Sequence, residues 1–157
     1  MITNLSCSFA SYLLVITLLN LCRPASMYGQ DADLEAFNLY RDAGFDLEDK
    51  SQFDSAIVLY QQAKEVAETS NNAFWRTTIY TDLAIAHRKR SDYINCQLFH
   101  KKALEIALRT NDQEIIEDSY HGLGTLYEVI GNLDLAVEYY LKALELSLSR
   151  HDTEGAT

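Results

Sequence analysis

A period of 40 residues constrains this chain more than any other feature. Ala63, Ala103 and Ala143 recur at that interval, inside the similar segments 60–66, 100–106 and 140–146. Other columns keep the same register: Tyr40, Tyr80 and Tyr120; Gly44, Ala84 and Gly124; Ala56, Cys96 and Ala136; Phe53, Tyr93 and Leu133. The alignment is gapless and frames three units, 37–76, 77–116 and 117–156. A fixed period of this size means copies of one supersecondary unit, each too small to bury its apolar face alone.

The unit is helical. In the third copy Tyr120, Leu123, Leu126, Tyr127 and Ile130 mark one face, and Leu133, Val137, Tyr140, Leu141 and Leu144 mark another, both at helix spacing. Gly131 lies between them, where a helix end favours positive φ, and Asn132 and Asp134 offer oxygens to the next N-terminus. Ser51 and Ser91 share Gly131's column. With one Pro and six Gly in 157 residues, the chain has few helix breakers. Each unit is therefore a hairpin of two helices, A then B. The small columns, Gly44/Ala84/Gly124 in A and Ala56/Cys96/Ala136 in B, let the two helices approach.

Leu123-Gly124-x-x-Tyr127, then Gly131, Ala136, Tyr140 and Ala143, resembles the tetratricopeptide-repeat consensus. The second unit departs from it at His87, Cys96 and His100, and the first at Leu47. The resemblance covers roughly residues 32–150. It implies an all-α fold, a solenoid of three antiparallel helix hairpins forming a right-handed superhelix with helices A on the concave wall. It also implies a protein or peptide partner, with no cofactor. The 40-residue period exceeds the family's 34, through longer helices or a longer loop. Longer-period variants of this kind are typical of the N-terminal repeat regions of exported bacterial sensor and regulatory proteins.

Residues 1–29 stand apart from the repeats, which occupy 30–157. Residues 12–21 form a mostly apolar run of ten, too short to cross a hydrocarbon core about 30 Å thick. The run and the small residues after it match an export signal, cleaved or retained as an anchor. The expected location is periplasmic or membrane-associated. The formal charge is −10, and the first 29 residues contribute only Arg23 to it, so the repeats are acidic. That charge disfavours nucleic acid. With Cys7 and Cys22 in the leader, Cys96 is left without an internal disulfide partner.

Helix A presents one face away from its B partner. There the expected groove residues are Arg41, Phe45 and Glu48 in the first unit, Thr81, Ile85 and Arg88 in the second, and His121 and Thr125 in the third. Phe45 and Ile85 are the apolar members; the competing reading buries them between repeats. A Lys/Asn/Arg clamp on a C-terminal carboxylate, known in this family, does not fit, since Phe45, Asp118 and Gly122 stand where its residues belong. His87 and His100 both replace packing aromatics and could meet across the second hairpin. No Cys, Asp or Glu at ligand spacing completes a metal site there, so the expectation is two packing histidines and no metal. Residues 88–90 and 101–102 form a basic patch, a solvated surface more often than a docking site. No phosphate loop, nucleophile elbow or His-Glu-x-x-His motif is present, so the chain is expected to bind rather than catalyse.

Two functions follow from these features: an exported adaptor holding a partner in its groove, or the N-terminal sensor part of a larger membrane-bound histidine kinase or transcription regulator. A scaffold subunit of an envelope assembly is a third. Contact with a membrane would come only through residues 1–29 or a downstream segment. The period also sets residues 149–152 in register with 69–72 and 109–112. Asp152 is thus expected to cap a fourth helix A, and the outer face of the third hairpin to be open to self-association.

Overall fold

The computed structural model describes residues 30–154, so the expectations for residues 1–29 lie outside the described residues. Six helices follow one another: α1 (Gln30–Asp49), α2 (Phe53–Thr69), α3 (Ala73–Lys89), α4 (Tyr93–Thr110), α5 (Gln113–Val129) and α6 (Leu133–Glu154). Odd-numbered helices are the A members of the hairpins and even-numbered helices the B members. The compact repeat unit begins at Asp33. Two or three residues join each helix to the next. The additional length of the 40-residue period therefore lies in the helices, which run to 17 residues or more.

The connections show why the helices stop where they do. Ser51, Ser91 and Gly131 take positive φ values of 58°, 65° and 80° at the A-to-B turns. Asn71 and Asn111 do the same at the B-to-A turns, at 53° and 55°, where Asn is among the few side chains that enter this region readily. Asn72, Asp92 and Asp112 then cap the following helices, accepting from the amides of Trp75, Asn95 and Ile115 at 3.1–3.2 Å. Asn132 accepts from Leu135 N at 3.3 Å. Because the caps fall at Asn72 and Asp112, helices A begin at Ala73 and Gln113. The structural units are phased four residues ahead of the 37–76 frame.

The last unit departs from expectation. α6 continues through residues 149–152 to Glu154, so position 152 lies inside this helix and not at the start of a fourth helix A. His151 occupies the column in which Asn71 and Asn111 turn the chain, and without Asn there the helix propagates.

The core follows the repeat columns. Ala56, Ala63, Cys96 and Ala103 are fully buried, and Ala136 and Ala143 nearly so. Between A and B of one hairpin, a ring fills the space a glycine leaves. A Cβ on Gly44 would stand 2.4 Å from Cε1 of Tyr60, and one on Gly124 would stand 2.6 Å from Cδ1 of Tyr140. In the second hairpin the same two columns hold Ala84 and His100, a methyl group and a smaller ring. That imidazole lies against the next A helix, where a Cβ on Gly122 would stand 2.2 Å from its Cε1.

Candidate partner-binding groove

Among the described residues, α3 meets α5 directly, whereas α2 and α4 make no such contact. The A helices thus approach one another along one side of the stack and form its inner wall. Two ion pairs lock α1 to α3 on that wall. Arg41 Nε lies 2.6 Å from Asp82 Oδ2, and Lys89 Nζ lies 2.6 Å from Glu48 Oε1. Both pairs span 41 residues, one period plus one.

The expected groove residues separate into three groups. Glu48 is buried; besides pairing with Lys89 it accepts from the Tyr60 hydroxyl at 2.8 Å. Its carboxylate is committed within the protein, a correction to its expected place as a group presented to a partner. Burial and the neighbouring Glu48 push the Tyr60 hydroxyl well above its ordinary range, which holds the proton on that bond. Arg41 is half-buried, and its guanidinium carbon sits 4.8 Å above the Phe45 ring. Asp82 is buried, and that burial raises its pKa even though Arg41 partly offsets the effect.

Phe45 remains 39% exposed, edge-on to Tyr60 at 6.0 Å. Ile85 and Arg88 are half-buried. Thr81 donates to Thr77 O at 3.1 Å, which satisfies its hydroxyl inside its own helix. In the third unit the exposed His121 ring lies 5.5 Å from Tyr140, whose hydroxyl donates to Glu128 at 2.6 Å. Thr125 donates to His121 O at 3.1 Å. Phe45, Ile85, Arg88 and His121 thus retain surface on the inner wall, while Glu48 does not.

The two histidines of the second hairpin go separate ways. His87 stacks on Phe99 at 5.4 Å and pairs through Nδ1 with Asp92 at 3.0 Å. His100 is 2% exposed and its Nδ1 lacks a partner. Burial, followed by the positive charge of Arg88, pushes its pKa down to about 4. Among the described residues no group of three His, Cys, Asp or Glu side chains is placed to hold a metal. Cys96 is buried, and burial raises its thiol to about 11, so it stays protonated and unreactive at neutral pH.

The profile of the tetratricopeptide repeat matches residues 75–149. Residues 75–149 are tetratricopeptide-repeat sequence. The crystal structure of the TPR domain of Arabidopsis FLU is similar in fold, with a TM-score of 0.68 over 77% of this chain and 98% of that one. Sequence identity is 16%, so the likeness concerns the fold alone. Tetratricopeptide repeats are generally protein-interaction scaffolds.

Sequence reasoning missed Asp82 as the anchor of Arg41, and gave Tyr60 and Tyr140 only a packing role. A signal for the first was present. Opposite charges recur at a separation of one period plus one, Arg41 with Asp82 and Glu48 with Lys89, the offset at which consecutive A helices meet.

Proposed function

We propose that this tetratricopeptide-repeat chain is an exported adaptor that binds a protein or peptide segment along the inner wall of its A helices. One observation carries the reading. Phe45, an aromatic that the fold could have buried, stays 39% exposed on a wall whose adjacent charges, Arg41, Asp82, Glu48 and Lys89, already neutralise one another. The wall is thus stiffened by its own ion pairs and offers apolar surface between them. Ile85 continues that surface onto α3, with Arg88 one turn further on. A segment with an apolar side chain and an adjacent carboxylate suits this order of groups, because a partly desolvated Arg holds a carboxylate by charge-assisted hydrogen bonds.

The test is a comparison of partner recovery. Phe45→Ala with Arg88→Ala is expected to abolish recovery of a partner that the native chain retains, with helicity by circular dichroism unchanged. Unaltered recovery would place the binding surface elsewhere. Export rests on residues 1–29 and has its own test. The chain purified from its cells should have the mass expected after removal of those residues, or be recovered with the membrane. An intact N-terminus in a cytoplasmic fraction would exclude export. In the gene, an apolar run of about 20 codons downstream of Thr157 would select the membrane-bound sensor in place of the adaptor.

A further inference from the structure

One column of the inner wall changes sign from unit to unit. Glu48, Arg88 and Glu128 occupy it on α1, α3 and α5. In the first and third units a tyrosine of the B helix donates to the glutamate, Tyr60 to Glu48 at 2.8 Å and Tyr140 to Glu128 at 2.6 Å. In the second unit both members differ. The tyrosine column holds His100 and the glutamate column holds Arg88, and His100 Nδ1 is left without a partner.

The three charges differ in what they leave open to a ligand. Glu48 is buried and answered by Lys89 across the seam between α1 and α3. The same offset, one period plus one, carries Arg88 to Val129, which is 50% exposed and brings no charge. Among the described residues no carboxylate lies within ion-pair distance of Arg88, which is half-buried. Glu128 is exposed and meets no cation among those residues either. Its bond from Tyr140 uses Oε2, and the carboxylate has further lone pairs to offer. Along the wall the open groups are therefore apolar at Phe45 on α1, positive at Arg88 on α3 and negative at Glu128 on α5.

We infer that the segment bound in this groove is dipolar, with an apolar side chain for Phe45, then an acidic one for Arg88, then a basic one for Glu128. The inference rests on the groove reading above and adds to it the order and spacing of charge. Packed helices stand roughly 9 Å apart, and an extended chain advances roughly 3.3 Å per residue. Successive contacts thus fall about three residues apart in a segment that crosses the A helices. A residue lies on either side of the acid, so its carboxylate belongs to a side chain and not to a chain end. The Arg88 guanidinium meets such a carboxylate with two parallel donors. A wholly acidic segment would set like charge against Glu128, which is unfavourable. Tyr140 acts as a positioning residue, because its hydroxyl holds Glu128 in place.

Selection from a random peptide library on the purified chain tests this. The expected peptides carry an acidic and a basic residue about three positions apart, with an apolar residue about three positions beyond the acid. Synthesised with blocked ends, they should bind as well as with free ends. Changing the peptide's acid to its amide, or Arg88→Ala in the protein, should each weaken binding roughly tenfold, and less at high salt. Arg88→Glu combined with Glu128→Arg should select the reverse order, with the base next to the apolar residue. Peptides that lack the charge order yet lose binding to Phe45→Ala would overturn the dipolar segment and leave the groove standing. Binding that requires a free C-terminus would overturn it as well, assigning Arg88 to a chain end. Selected peptides indifferent to Phe45→Ala, or no selection at all, would overturn the groove and this inference together.

Discussion

Leucine in place of Gly44 is expected to lower the stability of the repeats by about 2 kcal/mol or more, read as a fall in melting temperature of roughly 8 °C. A Cβ alone would stand 2.4 Å from Cε1 and 2.6 Å from Cδ1 of Tyr60. That ring is fully buried, its hydroxyl is held by Glu48 at 2.8 Å, and Phe45 lies against it edge-on. It has nowhere to move. Leucine's better helix propensity returns only about 1 kcal/mol. The same change at Gly124 meets Tyr140, which is only half-buried and can swing outward, so its cost should be smaller. The second hairpin indicates the compensating change, since it has Ala84 and His100 in the columns of Gly44 and Tyr60. Gly44→Ala should be destabilising alone and less so when combined with Tyr60→His. Paired melts of the four proteins read that coupling. Coinciding melts of wild type and Gly44→Leu would show that the ring is not confined.

The period made the fold legible, because helix faces, turns and small-residue columns repeat and each copy checks the others. Ser51, Ser91 and Gly131 could be placed at the turns for that reason. The exact phase was less legible. The apolar faces of a helix fix its rotation but not its first residue, and the caps at Asn72 and Asp112 decide that. The end of α6 failed because register was carried past the last complete copy. A turn is stable when the helix after it packs, and the period by itself says nothing of that. On the inner wall, helical spacing found the face but not the charge pairing across it. Glu48 appeared available because its two partners, Tyr60 and Lys89, lie 12 and 41 residues away. The partners of His87 and His100, Phe99 and Asp92 for the one and the Gly122 backbone for the other, are not legible in the alignment, which treats both as replaced aromatics.

Acid should destabilise this protein above the range in which its carboxylates titrate, and His100 should be the main cause. An unfolded-state histidine takes up a proton near pH 6.5. In the fold, burial and the charge of Arg88 bring His100 down to about 4. Between those values the unfolded chain binds a proton that the folded chain does not, so stability falls as pH drops. It is unaffected by this group above about pH 6.5, and the loss is complete below about pH 4. Over the window the loss is on the order of 3 kcal/mol. His87 adds to it in the same direction, since burial lowers its pKa despite Asp92. Asp82 acts with the opposite sign. Burial raises its pKa, so the folded state gains a proton first as pH falls, and that gain offsets part of the loss at the acid end. His100→Leu has similar volume, removes the unpartnered Nδ1 and cannot titrate. Urea midpoints at pH 7 and pH 4.5 should therefore differ much less for His100→Leu than for wild type, the remaining difference reflecting His87 and, with opposite sign, Asp82. Equal acid sensitivity in the two proteins would mean that the imidazole reaches solvent and is not confined against Gly122.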